Sequence, residues 1–424
     1  MSSIWVSENE LLPNLFRLEY SKLTAVLCRH FGLKNIEIAE DIASETFLKA
    51  SESWPINGIP ENPTAWLYTV ANNKAKDYLK HMSIFENQVK NAIKENEILK
   101  EQDFDFTHQN ITDSQLAMIF AVCNPSNSKE SQISLALQIL CSFSMEEIAS
   151  AFLTKTETIK KRLQRARTNL RNDSFQIRKL SETDIQSRLD TVLKTLYLLF
   201  NEGYFSKTNN QLIRKELCSD AVRLMLLLTE NLLTNTPQTN ALLALMCFQS
   251  SRLDARTDDR GEMILFEEQD RNLWDNDLIE KGNYYLVKAF SGIEISKYHL
   301  EAGIAYWHTT PTDKNKWEHV LQLYNQLIII EYSPMTALNR IFAFAKVYGN
   351  EKAIQEAEKL NLTENNYYHK LLGYLYEDVN IDEAIAHYDK TITLTKSRTE
   401  KQNLAKEIER LNHRKTAANT RYGA

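Results

Sequence analysis

Apolar residues recur at three- and four-residue intervals through most of the chain, and turn-forming clusters set the breaks between the stripes. From about Leu11 to Lys80 the helical stripes are interrupted at Trp54 to Pro63 (WPINGIPENP), a stretch dense in Pro, Gly and Asn that predicts a loop. Asn62 is a good N-cap and Pro63 suits a first helical position, so a helix is expected from there to about Lys80. On it Leu67, Val70, Ala71, Ala75 and Tyr78 share the inward face, while Thr69, Asn72, Asn73, Lys76 and Lys80 face away. An earlier helix, Glu37 to Ser51, turns Ile38, Ile42, Phe47 and Ala50 inward and leaves Glu37, Glu40, Asp41 and Glu45 outside. Residues 81–110 hold six acidic residues against three Lys and no sustained period, which reads as an acidic flexible linker.

Helical patterning resumes over 111–175. Two Ser/Thr-x-x-Glu boxes, Ser144 to Glu147 and Thr154 to Glu157, predict two helix starts ten residues apart. Two short helices joined by a tight turn form a helix-turn-helix, whose second member can enter a DNA major groove. On that second helix Ile159, Leu163, Ala166 and Leu170 form a narrow inner stripe. The opposite face carries Glu157, Lys161, Gln164, Arg165 and Thr168, of a length to reach base edges, with Lys160, Arg162, Arg167 and Arg171 flanking toward phosphates. A charge run by itself is usually a solvated face; the capped helix before it, with Ile148, Ala149 and Phe152 turned inward, favours the DNA reading.

From about Leu180 to the C-terminus one helix follows another with short polar breaks. The segment NEKAIQ at 350 resembles IDEAIA at 381, and Tyr367 to Thr391 has the Leu-Gly, Tyr, Ala and aromatic punctuation of a tetratricopeptide unit. With only 10 Gly and 8 Pro in 424 residues, the whole chain is expected to be all-α and to hold several domains.

Charge sharpens this division. The net charge of -6 argues against a nucleic-acid partner until its distribution is read: 154–180 carries nine Lys or Arg against two acidic residues, and the part beyond 180 has 29 basic against 34 acidic. The acidic extension is therefore expected to bind protein, either a regulatory partner or the rest of the chain itself, rather than DNA. Five scattered cysteines without a C-x-x-C pair signal neither disulfide framework nor zinc site and read as small buried residues. Apolar runs such as Leu242 to Phe248 are far shorter than the roughly 20 residues of a membrane span, and Met1 to Glu10 lacks a signal peptide's regions, so a cytoplasmic protein with no membrane contact is expected. No cofactor or metal is expected: His299 and His308 with Glu267, Glu268 and Asp270 fit no ligand or acid–base spacing, and no phosphate loop or nucleophile motif occurs.

The stretches AEDIASETFLKASESWP and NPTAWLYTVANNKAKDYLK resemble region 2 of sigma-70 family extracytoplasmic-function sigma factors, and SMEEIASAFLTKTETIKKRLQRARTNLR resembles their region 4. LYLLFNEGY at 196, EEQDRNLWD at 267 and SPMTALNR at 333 are similar to the extension of a subgroup whose sigma module is fused to a tetratricopeptide-like domain. The resemblance implies region 2 at 10–80, region 4 at 111–175 and the helical extension at 180–424, with core RNA polymerase and promoter DNA as partners. It implies that Asp41 and Glu45 dock on the clamp helices of the polymerase, that Asn72, Asn73, Lys76 and Lys80 capture the melted minus-10 element, and that Lys160, Lys161, Gln164 and Arg165 read the minus-35 element. The linker would thread toward the RNA exit path, and all bond chemistry would belong to polymerase. The competing reading is a stand-alone helix-turn-helix regulator with a partner-binding repeat domain, which has no use for a clamp-docking helix.

Overall fold

A computed structural model of the chain describes residues 8–89, 104–205, 211–258, 264, 266–310, 314–396 and 398–422. Among these, helices supply all the extended regular structure, as the scarcity of Gly and Pro predicts. In order they are α1 (Glu8–Phe31), α2 (Ile36–Asn57), α3 (Pro63–Val89), α4 (His108–Val122), α5 (Lys129–Leu135), α6 (Met145–Ala151), α7 (Thr156–Asn172), α8 (Glu182–Tyr204), α9 (Gln211–Glu230) and α10 (Pro237–Ser250). They continue as α11 (Asn276–Ala289), α12 (Lys297–Thr309), α13 (Lys316–Ile330), α14 (Pro334–Tyr348), α15 (Asn350–Glu358), α16 (Asn366–Tyr376), α17 (Ile381–Leu394) and α18 (Arg398–Tyr422). No helix among the described residues is long and apolar enough to cross a membrane. The chain divides into two compact units, 1–239 and 240–424.

In the first unit α1, α2 and α3 enclose a core of Leu23, Ala43, Phe47, Ala50, Trp54, Leu67 and Ala71. The expected loop begins later than its composition suggests, because α2 runs on through Trp54 to Asn57. Trp54 belongs to the core and meets Trp66 edge-on at 5.5 Å, and that burial holds the last turn helical although Pro55 forgoes a backbone hydrogen bond there. Gly58, at φ +83°, then ends the helix in a conformation that side chains resist. Asn62 caps α3 as expected, its side-chain oxygen accepting from the Ala65 N–H at 3.0 Å. The helix passes Lys80 and continues to Val89, since no Gly or Pro stops it. Most of the expected linker, 90–103, lies outside the described residues.

Helix α4 is buried at every position from Ser114 to Val122. It has no solvent face because α1 covers one side and α8 and α9 cover others. A π-turn at Ala136–Leu140 follows α5 directly. The sequence places a boundary near 180, whereas packing groups α8 and α9 with the helices before them. The ties are specific: Thr195 donates to Gln132 at 3.0 Å, Arg188 pairs with Asp173 at 2.9 Å, and Arg223 donates to the Leu140 carbonyl at 2.9 Å.

The Ser144–Glu147 capping box forms and opens α6. The second expected box does not: α7 starts at Thr156, and the Thr154 N–H is spent on the Ala149 carbonyl at 2.9 Å, closing the turn instead. Leu153 makes that turn at φ +48° with 64% of its surface exposed. Leu153→Gly is therefore expected to raise stability by up to about 1 kcal/mol, a left-handed leucine with little packing to lose giving way to glycine; urea denaturation checks this.

In the second unit each helix from α11 to α18 packs on the next. Gly373 lets α16 meet α17 closely, since a Cβ there would stand 2.5 Å from the Tyr388 ring. His299, weighed in the sequence as part of a metal or acid–base cluster, is committed to structure: Nε2 faces the Ala289 carbonyl at 3.0 Å, so it carries the proton, and Nδ1 accepts from the Ser296 N–H at 3.1 Å to cap α12. No group of three or more metal-ligating side chains occurs among the described residues. All five cysteines are buried and unbridged.

Candidate nucleic-acid interface

The inner face of α3 is buried as the pattern requires: Leu67, Ala71 and Ala75 at 0% exposure and Val70 at 7%. That leaves Asn73 and Lys80 exposed and Asn72 and Lys76 half-buried on the outer side. Part of this side is already occupied by the chain returning at Phe104. The Phe104 N–H donates to Asn72 Oδ1 at 3.3 Å, and Phe106 stacks on Tyr68 one turn earlier, with ring centroids 5.0 Å apart. Phe104 is anchored in turn against His30 at 4.4 Å and Phe31 at 5.7 Å. The Tyr68 hydroxyl donates to Glu19; burial and this carboxylate both push its pKa up, so the phenol stays a donor.

On α2, Asp41 and Glu45 are exposed, and at helical spacing Leu48, Glu52 and Ile56 extend the same stripe. Leu48 is 57% and Ile56 82% exposed, so the stripe combines acid with uncovered apolar surface. Lys74 reaches from α3 to Glu45 at 2.6 Å, which ties the acidic face of α2 to the polar face of α3.

On α7 the inner stripe Ile159, Leu163, Ala166 and Leu170 is 0–3% exposed and packs on α5 and α6. Lys160, Lys161, Gln164 and Arg165 are all exposed. The Lys161–Glu157 pair, 3.9 Å apart with both side chains more than 60% exposed, contributes little to stability and leaves Lys161 available.

Two of the expected phosphate-facing arginines do something else. Arg167 grips Glu40 of α2 with both terminal nitrogens, at 2.8 and 2.7 Å, while its Nε and Nη2 donate to Gln138 Oε1 at 3.1 and 2.9 Å. Gln138 sits on the π-turn, whose wider winding presents this acceptor between the two groups of helices. Burial alone would lower the basicity of Arg167, but the hydrogen bonds and charge of Glu40 outweigh it and the pKa moves up. One turn on, Arg171 pairs with Glu37 at 2.6 Å. The sequence marked both carboxylates as outward-facing and both arginines as basic, but a contact across 127 residues has no local signal.

The expected minus-10 set and docking pair thus share one corner of α2 and α3, and the expected minus-35 set lies open on α7. A family model described as "Sigma-70 region 2" matches residues 15–83, which spans α1 to α3. A second, "Family of unknown function (DUF6596)", matches residues 188–290, from α8 past α11. The "Uncharacterized protein R00370" of Rhizobium meliloti (strain 1021) is 31% identical over 399 residues, covering 91% of this chain and 92% of its own length. No solved structure matches the chain.

Proposed function

We propose that the chain, which is of one family with R00370 along nearly its full length and carries a stretch similar to sigma-70 region 2, is an alternative sigma factor of the extracytoplasmic-function type. In this reading it binds core RNA polymerase through Asp41, Glu45 and the apolar stripe beside them. It captures melted minus-10 bases with Asn72, Asn73, Lys76 and Lys80, and reads the minus-35 duplex with Lys160, Lys161, Gln164 and Arg165 of a helix-turn-helix formed by α6 and α7. The observation that carries it is the corner of region 2 where an exposed acid-and-apolar stripe on α2 adjoins an amide- and ammonium-bearing face on α3. An operator-binding regulator needs only the second of the two DNA surfaces. The neighbour-to-neighbour packing of α12 to α18 supports a tetratricopeptide-like extension.

Run-off transcription with sigma-free core polymerase on a genomic promoter library tests this. Wild type is expected to give promoter-specific transcripts. The Asp41→Ala/Glu45→Ala pair should weaken core binding at least tenfold, and Gln164→Ala or Arg165→Ala should each lose about 1–3 kcal/mol of discrimination at one minus-35 base pair. Specific duplex binding by the protein alone, without transcripts, would favour the operator-binding regulator.

The Arg167–Glu40 and Arg171–Glu37 pairs support regulation by closure. Two promoter elements centred roughly 25 base pairs apart are separated by about 85 Å at 3.4 Å per pair. Here α7 touches α2 through ion pairs under 3 Å, and α2 touches α3, so the two reading faces lie within about three helix diameters, or 30–36 Å. Promoter binding therefore requires this arrangement to open. Helices α8 and α9, which clamp α4, α5 and the π-turn and reach α1 through the Arg17–Glu216 pair, are the part of the extension placed to hold it shut.

A further inference from the structure

One end of the helical array in the second unit exposes apolar side chains that the fold itself does not use. It is formed by the last turns of α11 and α13, the 291–295 loop and the turn into α14. The Lys297–Glu331 pair, 2.8 Å apart, joins the first residue of α12 to the residue after α13. It thereby sets the 291–295 loop beside Ile330 and Tyr332, which flank Glu331. On the other side the Phe290 ring, at the end of α11, lies 5.7 Å from His299 in the first turn of α12.

Ile293 is 99%, Ile329 83% and Val287 76% exposed, and Phe290, Ile330 and Tyr332 are 49–60% exposed. At about 200 Å² for a fully exposed large residue, these six present roughly 800 Å². The largest apolar patch of an ordinary monomer is about 300–600 Å², whereas one side of a stable protein–protein contact covers about 800 Å². Charge identifies the occupant. Lys288 and Glu294 border the patch in the chain, both exposed, and neither makes an ion pair among the described residues. The Lys288 ammonium lies over the Tyr284 ring at 4.4 Å instead. One unpaired charge of each sign beside a single apolar patch is what a two-fold symmetric contact satisfies twice, Lys288 of each copy meeting Glu294 of the other. A nucleic acid would require an excess of cations, but here Lys288 and Lys297 are balanced by Glu294 and Glu331.

We propose that this end of the second unit is a homodimer interface, its occupant a second copy of the chain related by a two-fold axis. The interface stands whether or not the chain directs transcription.

Sedimentation velocity of the full-length protein over about 0.5–100 µM tests this, and wild type is expected to pass from monomer to dimer with a Kd of about 10 µM or tighter. Ile293→Asp and Ile329→Asp fall where the monomer has little packing to lose. Each should weaken dimerisation by about tenfold or more, with the unfolding temperature of the dilute monomer unchanged. Lys288→Glu and Glu294→Lys should each weaken it several-fold, because like charges then meet across the axis. Mixing these two variants should restore association to near wild-type strength, since each supplies the charge the other lacks. The proposal is overturned if wild type stays monomeric at the highest concentration, if neither isoleucine substitution weakens the dimer, or if the mixed charge variants associate no better than either alone.

Discussion

Truncation of the chain after Leu180 is expected to yield an insoluble or molten fragment, whereas truncation after Thr239 should leave a soluble, cooperatively folded one. The first cut falls where the sequence changes character, but it strips α8 and α9 from α4. Those helices bury Val192, Leu193, Leu196, Leu199, Phe200, Leu217, Leu224, Met225 and Leu228 at 0–1% exposure. At about 1.5–3 kcal/mol for each large apolar side chain, and with half of that burial between α8 and α9 themselves, the loss is on the order of 10 kcal/mol. That equals the entire stability of an ordinary domain. It also uncovers Leu116, Met118, Ile119 and Phe120 of α4 and removes Thr195, one partner of Gln132, and Arg188, one partner of Asp173. The second cut follows the division between the compact units. Circular dichroism and urea unfolding of the two fragments distinguish the outcomes; a Leu180 fragment with a sharp, wild-type-like transition would show that α4 does not depend on the extension.

Glu40→Gln is expected to open α7 away from α2 and, on the proposed sigma-factor reading, to raise transcription from a cognate promoter in the run-off assay. Both side chains of the Arg167–Glu40 pair are less than a fifth exposed, so neither is well solvated when its partner is lost. Removing one member of such a pair costs about 3–5 kcal/mol in a fully buried setting, and about 2–3 kcal/mol is expected at this exposure. The closed arrangement would then be disfavoured by a factor of roughly 30 to 150, with Arg171–Glu37 and the α1–α4 contact remaining. The substitution is made on α2 so that α7 keeps all of its basic groups. Small-angle scattering should report a larger radius of gyration. Arg167→Ala should open the molecule equally, and a Glu40→Gln protein with unchanged dimensions and activity would mean that closure is not held by this pair.

The all-helical fold was legible because period and breakers are local properties: the inner stripes of α3 and α7 and the caps at Asn62 and Ser144 lie where the pattern puts them. The ends of α2 and α3 were less so. Trp54 draws α2 past a proline for a packing reason, and a helix without a stop signal continues until something else ends it. The failed Thr154 box shows the same limit, since the turn required its N–H first. Among the site residues, charge and face could be read from spacing. That Arg167 would spend itself on Glu40 and that Phe104 would settle on Asn72 both depend on segments distant in the chain, which periodicity cannot join.

The fully enclosed α4 also fixes an order of events during synthesis. Its apolar residues leave the ribosome with the stretch ending at Val122, but the helices that finish covering them end at Glu230, 108 residues later. At about 5–20 residues per second the nascent chain carries an uncovered Leu-Ala-Met-Ile-Phe-Ala-Val segment for roughly 5–20 s, a window in which chaperones rather than the finished fold must keep it from aggregating.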